Sequence, residues 1–162
     1  GYMADLCAHA DVIVPNLTEA CALLNEPYRE DFTRDQLTDL LRRLCAMGAK
    51  CAVLTGVSPT GEEDKLGVLK YDGRDGSTFS YYGERVRTSQ PLHGTGDVFA
   101  SACVGALAAG MCLDDALSLA VEFTSRSAAC WAAAADRRWY GVDFETALPY
   151  YIDEIRRYKE KI

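Results

Sequence analysis

The chain has 162 residues, enough for one domain with a sizeable core, and 49% of them are hydrophobic and 25% charged, as in ordinary soluble globular proteins. Its 17 Lys and Arg against 24 Asp and Glu give a net charge of −7, which argues against a dedicated nucleic-acid binder with its basic surface. No run approaches the roughly 18 apolar residues of a membrane span, and the N-terminus lacks a signal-peptide charge pattern. We therefore expect a cytoplasmic protein that binds neither nucleic acid nor membrane.

The first part of the chain alternates between helix and strand. Residues 2–10 have the pattern of the last turns of a helix, and the β-branched run at 11–14, closed by Pro15, predicts a buried strand. Helices are predicted at 17–24 and from the N-cap Thr33 to residue 47, the second with the leucines at 37, 40, 41 and 44 on one face. A second short strand is predicted at 51–55, ended by Gly56. Strand, helix and strand in this order predict a right-handed crossover in a parallel sheet.

The middle of the chain predicts a β-hairpin, and the last part predicts packed helices. Strand-like segments at 66–71 and 78–86 flank the glycine-rich turn "YDGRDGS". Three helices follow, at about residues 95–109, 114–135 and 143–159. Two parallel strands and a hairpin are few for an α/β sheet, so we expect an incomplete domain whose missing part precedes Gly1.

The cysteines stand singly among apolar neighbours and never as Cys-x-x-Cys. This use of cysteine is typical of small core residues in a reducing compartment. A zinc site is not expected, because paired spacing is absent and His9 and His93 are the only histidines. The cysteines are Cys7, Cys21, Cys45, Cys51, Cys103, Cys112 and Cys130.

The two tryptophans, Trp131 and Trp139, are interpreted as core or interface anchors.

The segment "HGTGD", residues 93–97, lies where an apolar helix is predicted to begin, with Asp97 in its first turn. The first backbone N–H groups of a helix have no partner within the helix and favour an anion, and glycine lets a phosphate approach closely. From the residues alone, Asp97 is either an acid that stabilises the helix dipole or a general base beside a phosphoryl group. His93 is interpreted as a loop residue rather than a catalytic base.

Two predicted strands end in polar residues at what should be the same edge of the sheet. Asn16 and Glu19 follow the first strand in "VIVPNLTEA", and Thr55 and Gly56 end the second in "VLTGV". Open α/β sheets bind ligands beyond the carboxyl ends of their strands. An amide and a carboxylate there suit a hydrated Mg²⁺. The alternative is that Asn16 caps the following helix, with Glu19 as its third residue.

The motifs "ADVIVPNLTEA", "AVLTGV" before a hairpin, and "HGTGDVFASACVGAL" resemble the pyridoxal kinases of the ribokinase-like superfamily. The likeness runs from about Asp11 to Trp131, with the motifs in family order. Related hydroxymethylpyrimidine kinases usually carry a cysteine where Asp97 stands. The resemblance implies a three-layer α/β/α sandwich with a mostly parallel sheet. Residues 1–162 would be a single domain, the C-terminal nucleotide-binding portion of such a kinase.

The resemblance also implies an activity, the ATP-dependent phosphorylation of the 5′-hydroxymethyl group of pyridoxal, pyridoxamine or pyridoxine. Asp97 would take the proton of that group. The amides of Gly94, Thr95 and Gly96 would stabilise charge on the transferring phosphoryl group. The partners are then a vitamin B6 vitamer and ATP, and relatives are commonly homodimers.

Further residues are implied to bind the nucleotide and its metal. Asn16 and Glu19 would organise Mg²⁺, and a monovalent cation is a further candidate cofactor. Thr55 would contact the nucleotide phosphates, and residues 88–90 would run beside adenine. The implied nucleotide-binding residues are Asn16, Thr55, Gly56, Thr88, Ser89, Gln90 and Thr95.

The sequence departs from the family pattern in two ways. Val14 stands where many relatives have a threonine near the metal. The family's ring contacts and lid come from an N-terminal half that this chain does not contain, so we expect the 162-residue chain, if it is a fragment, not to turn over substrate by itself. Two other functions stay open, namely a kinase for another small alcohol, such as hydroxymethylpyrimidine or a sugar, and a nucleotide-binding module without catalysis.

Overall fold

The computed structural model of the chain describes residues 2–58, 61–88, 92–137 and 139–161. The chain divides into two compact units, Gly1–Tyr82 and Gly83–Ile162, here called the first and the second unit. The expectation of a single domain stays a prediction. None of the described helices combines the length and hydrophobicity of a membrane span. The elements, in chain order, are α1 (Tyr2–Cys7), β1 (Val12–Ile13), α2 (Leu17–Leu24), α3 (Arg34–Ala46), β2 (Cys51–Val57), β3 (Lys65–Asp72), β4 (Thr78–Glu84), α4 (Thr95–Ala108), α5 (Leu113–Ala133) and α6 (Phe144–Lys159).

The first unit is built on a four-stranded sheet in the order β1-β2-β3-β4. β1 pairs in parallel with β2, with Val12 opposite Cys51, as the strand–helix–strand pattern predicts. β2 pairs antiparallel with β3. Residues 73–77 join β3 to the adjacent β4, and a connection this short makes the two strands a hairpin. The predicted pair of parallel strands followed by a hairpin is therefore confirmed.

The prediction that Gly56 ends the second strand is wrong. β2 continues through Gly56 to Val57, and its pairing register with β3 shifts between Thr55 and Val57. Gly56 has a φ of 68°, in the left-handed region that glycine adopts without strain. The glycine therefore produces a bulge rather than a strand end, because a ladder can leave one extra residue unpaired and then continue.

The core of the first unit contains one face of α3. Thr33 begins this helix through a capping box with Gln36, in which each side chain accepts a hydrogen bond from the other residue's backbone N–H. The leucines of one helix face, spaced three or four residues apart, are buried together with apolar residues of β2 and β3. These residues are Leu37, Leu40, Leu41, Leu44, Ala52, Leu54 and Leu69. Both the N-cap and the buried face were predicted by the sequence.

In the second unit, α5 packs against both α4 and α6, as expected for the predicted run of helices. Tyr151 of α6 reaches α4, where its hydroxyl donates to the carbonyl of Ala102 at 2.7 Å. The Tyr151 ring also lies 5.0 Å from that of Phe123 on α5. A Cβ at Gly105 would lie 2.6 Å from the Tyr151 hydroxyl. A glycine at position 105 thus permits the close approach of α6 to α4.

The structure corrects the interpretation of three cysteines and leaves a core role for only one of the two tryptophans. All seven cysteines are free, but Cys112 is exposed and Cys45 and Cys130 are half-buried, so only Cys7, Cys21, Cys51 and Cys103 are core residues. Trp131 is a core residue with 3% of its surface exposed, whereas Trp139 is 84% exposed. Trp139 stands beyond the end of α5, where no helical periodicity directs a side chain towards the core.

Gly105→Ala should destabilise the protein, although alanine is the better helix residue by about 1 kcal/mol. The new methyl group would meet the Tyr151 hydroxyl at 2.6 Å and displace it from the Ala102 carbonyl. In a Tyr151→Phe background the hydroxyl is absent, and Gly105→Ala should then stabilise the protein by roughly 0.5–1 kcal/mol. Urea unfolding of the four proteins measures this coupling. An equal loss of stability in both backgrounds would contradict the contact.

The turn between β3 and β4 is held by a buried carboxylate. Asp72, 5% exposed, accepts hydrogen bonds from the Arg74 backbone N–H at 3.0 Å and from its guanidinium Nε at 2.9 Å and Nη2 at 2.5 Å. The side-chain hydrogen bonds from Arg74 favour the ionised form and lower the pKa of Asp72 to about 2. The Gly73 N–H donates to the Lys50 carbonyl at 2.9 Å, which ties the turn to the residue before β2.

Asp72 should contribute to a loss of stability in acid. Its pKa is about 2 in the folded protein and near 3.9 in the unfolded chain, so its stabilisation is full above the unfolded value and disappears as the pH falls through the folded value. Asp72→Asn should lower the free energy of unfolding by about 1 kcal/mol at pH 7. It should also weaken the pH dependence of that free energy between pH 4 and 2. Thermal unfolding across this range measures the effect, with the exposed Asp31→Asn as control. Identical acid profiles for the wild type and Asp72→Asn would rule it out.

Candidate functional site

Asn16 and Glu19 lie where β1 leads into α2. The Asn16 side-chain oxygen accepts a hydrogen bond from the Glu19 N–H, and a Glu19 carboxylate oxygen accepts one from the Asn16 N–H, both at 2.9 Å. This reciprocal pair is a capping box. The capping interpretation of these two residues is therefore what the structure shows. Both residues are also exposed.

Thr55 lies beside Asn16 at this edge of the sheet. The two residues form a parallel β-bridge, and the Thr55 N–H donates to the Pro15 carbonyl at 3.0 Å. Gly56, the next residue, is exposed, and a Cβ there would meet no atom within 4 Å. The structure thus brings together the polar residues that follow β1 and those near the end of β2. Their role as ligand contacts stays a prediction.

The oxygen donors at this edge suit a hydrated cation. In the capping box, Asn16 uses its side-chain oxygen and Glu19 uses one carboxylate oxygen, which leaves the second Glu19 oxygen as a donor to a metal. Within the part of the chain that the structure describes, no group of three or more His, Cys, Asp and Glu could hold a metal ion. Mg²⁺ fits one carboxylate oxygen, because it keeps several waters and is usually completed by substrate phosphates.

In the second unit, α4 begins with an open N-terminus. Gly94, its N-cap, has a φ of 78° and a ψ of 1°, and its carbonyl accepts the first helical hydrogen bond from the Val98 N–H at 3.0 Å. The amides of residues 95–97 precede that bond, and no described side chain caps them. Asp97 is the third residue of the helix and is exposed. Free amides, the positive end of the helix dipole and a carboxylate therefore share one turn.

Neither packing nor backbone conformation in the described residues explains the glycine at position 96. Its φ is not positive, and a Cβ added there would meet no atom within 4 Å. Alanine stabilises an exposed helix position by up to about 1 kcal/mol relative to glycine. The absence of a side chain does, however, leave the amides at the start of α4 open to close approach by an anion.

The residues predicted to run beside adenine are only partly described by the structure. Thr88 is half-buried in the irregular segment after β4, and Ser89 and Gln90 lie outside the described residues. His93 is exposed, as expected of a loop residue. The predicted site residues thus form one group in the first unit, at the strand ends, and one in the second unit, at the start of α4.

No sequence pattern predicted the contact between Gly94, at the start of α4, and Gly141, which follows α5. A Cβ at Gly94 would lie 3.8 Å from the Cα of Gly141. Trp139 and Tyr140 directly precede Gly141, and both are exposed. The two glycines are far apart in the sequence, so no local pattern predicts their contact. The adjacent aromatic pair was the available signal, but only Trp139 was interpreted, as a core or interface anchor.

A family model matches most of the chain. The family model described as phosphomethylpyrimidine kinase matches residues 2–138. The chain belongs to the phosphomethylpyrimidine kinase family. It is also 33% identical to the pyridoxine kinase of Bacillus subtilis (strain 168) over 114 residues, which are 70% of this chain and 40% of that protein.

Solved structures similar to this family member share its fold. A candidate phosphomethylpyrimidine kinase from Bacteroides thetaiotaomicron is 31% identical, with a TM-score of 0.82 over 93% of this chain and 50% of that one. Another crystal form of the Bacteroides protein contains pyridoxal. An ADP complex of Bacillus subtilis pyridoxal kinase is 27% identical, with a TM-score of 0.68 over 89% of this chain and 51% of that one. The expected ribokinase-like α/β fold is confirmed, and the chain spans about half the length of these solved relatives.

The two glycines at the start of α4 should respond differently to alanine. Gly94→Ala should destabilise the protein by about 1–2 kcal/mol, because alanine is strained at a φ of 78°. Gly96→Ala should leave the free energy of unfolding unchanged or raise it by up to about 1 kcal/mol. Urea unfolding measures both changes. A clear loss of stability in Gly96→Ala would show that this glycine has a structural role after all.

Proposed function

We propose that the chain is part of an ATP-dependent kinase that phosphorylates the 5′-hydroxymethyl group of a vitamin B6 vitamer. The observation that carries the proposal is the open N-terminus of α4, where uncapped amides and the exposed Asp97 share the first turn. Family membership supports a phosphotransferase, and the relatives named for pyridoxine or pyridoxal support this substrate class. The ADP complex of the Bacillus subtilis relative supports nucleotide use.

In this proposal the start of α4 performs the chemistry of transfer. The amides of Gly94, Thr95 and Gly96 donate hydrogen bonds to the oxygens of the transferring phosphoryl group and stabilise its charge. Asp97 accepts the proton of the attacking hydroxyl group as the new P–O bond forms and the bond between the γ-phosphorus and the bridging oxygen breaks, so that ADP leaves. An exposed carboxylate in the first turn suits this role, since it is accessible to a substrate.

The strand ends of the first unit are proposed to bind the nucleotide phosphates and their metal. Asn16 retains its side-chain NH₂, Glu19 retains one carboxylate oxygen, and Thr55 and Gly56 lie beside them at the edge of the sheet. Mg²⁺, when bound, would neutralise phosphate charge. Three further proposals come from the resemblance: an adenine contact by the Thr88 to Gln90 segment, a monovalent cation and a homodimer. A cytoplasmic location remains a proposal from the composition.

A second candidate substrate is hydroxymethylpyrimidine, which the description of the matching family model favours. Both substrates present a primary alcohol on a heteroaromatic ring. Asp97 favours the vitamer, because the resemblance places a cysteine at this position in hydroxymethylpyrimidine kinases. Turnover of pyridoxal, pyridoxamine, hydroxymethylpyrimidine and ribose by the longest polypeptide that the gene encodes decides between them. Nucleotide binding without any turnover would instead support a non-catalytic module.

Asp97→Asn should lower kcat by roughly 10²–10⁴ while leaving the affinity for ATP within about threefold, because it removes the base and not the amides. Asp115→Asn is the matched control, since Asp115 is likewise an exposed third residue of its helix, α5. Both changes should alter stability by no more than about 1 kcal/mol through the helix dipole. Steady-state kinetics on the same gene product measures the effect. An unchanged kcat in Asp97→Asn would remove Asp97 as the base.

A further inference from the structure

Two adjacent aromatic side chains are exposed in the second unit. Trp139 is 84% exposed and Tyr140 62% exposed, and their rings meet edge to face with centroids 5.7 Å apart. Large aromatic side chains supply much of the energy of cores and interfaces when they are buried, so an exposed adjacent pair is uncommon on a surface without a binding role. The pair contributes nothing visible to the core of the second unit.

The segment that carries the pair is anchored on both sides. Before it, Arg137 donates to the Ala132 carbonyl at 2.8 Å, and its guanidinium lies 5.5 Å from the ring centre of buried Trp131. After it, Val142 is buried and Asp143 caps α6 by accepting hydrogen bonds from Thr146. The described residues on both sides of the pair are therefore held to the second unit.

The pair also stands beside the start of α4. Gly141, the next residue, places its Cα 3.8 Å from where a Cβ of Gly94 would be. Successive Cα atoms are about 3.8 Å apart, so Trp139 lies at most about 7–8 Å along the chain from this contact. That distance is within the reach of a ligand whose phosphate is bound by the first turn of α4.

We propose that Trp139 and Tyr140 form an aromatic platform for the planar heteroaromatic ring of a ligand that binds at the N-terminus of α4. The inference rests on the proposed function and deepens it, because it assigns a ring contact to a segment that nothing else links to the site. Such a ring comes from either of two sources, the base of the nucleotide or the pyridine ring of the vitamer. In both, stacking on an exposed aromatic face would add affinity that the phosphate contacts do not provide.

Binding of three probes to the longest polypeptide that the gene encodes tests the platform. The probes are ADP, pyridoxine 5′-phosphate, which lacks the aldehyde that reacts with lysine, and inorganic tripolyphosphate, which has no ring. Calorimetry on wild type, Trp139→Ala, Trp139→Phe and Tyr140→Ala measures affinity, and Tyr28→Ala, an exposed tyrosine of the first unit, is the control. A change in tryptophan fluorescence on ring binding that is present in the wild type and absent in Trp139→Phe would report ring contact at Trp139.

If the platform exists, Trp139→Ala should lower the affinity for ADP or for pyridoxine 5′-phosphate roughly tenfold or more. Trp139→Phe and Tyr28→Ala should have little effect on either affinity. Tripolyphosphate should bind all variants equally. The weakened probe identifies the source of the ring. Unchanged affinity for both ring probes in Trp139→Ala and Tyr140→Ala would overturn the platform and leave the proposed kinase function intact.

Two further outcomes would also overturn it. If the wild-type gene product binds no probe, the proposed nucleotide and vitamer sites fail together with the platform. If Trp139→Ala converts a wild-type dimer to a monomer in sedimentation, with unchanged affinity for the ring probes, the aromatic pair is a contact between two copies of the chain.

Discussion

The left-handed conformation of Gly94 is the constraint on which the candidate site depends. With a φ of 78°, the chain turns sharply into α4, and the first helical hydrogen bond forms between the Gly94 carbonyl and the Val98 N–H. A residue with a side chain would strain this turn and would approach the backbone at Gly141. The glycine therefore permits two features at once: the turn into an uncapped helix start and the position of Asp97 in the first turn.

The other helix starts differ from that of α4 in how their first backbone amides are satisfied. α2 and α3 each begin with a reciprocal capping box, and α6 begins with an aspartate that accepts from Thr146. α5 also lacks a side-chain cap, but it carries two aspartates in its first turn and no glycine there. The start of α4 differs in a further respect, because Gly96 is a poor helix residue whose position imposes no steric demand.

Local patterns predicted the elements well, and tertiary contacts account for what was missed. The leucine spacing and the Thr33 cap defined α3, because a helix boundary and a buried face are both encoded within a few residues. The role of Gly56 was predicted wrongly because pairing with β3 decides whether a glycine ends a strand or forms a β-bulge within it. The exposure of Trp139 and the contact between Gly94 and Gly141 depend on residues distant in sequence, which no short pattern contains.

The capping role of Asn16 and Glu19 is compatible with the ligand-binding role proposed for them. The capping box holds the Glu19 carboxylate through the Asn16 N–H, so the side chain is already ordered before any ligand arrives. Ordering a glutamate on binding costs conformational entropy, and that cost is smaller for a carboxylate that the fold has already fixed. Its second oxygen would then be presented in a defined direction beside Thr55. A cap of this kind is thus a means of preorganising a metal or phosphate contact at a strand end.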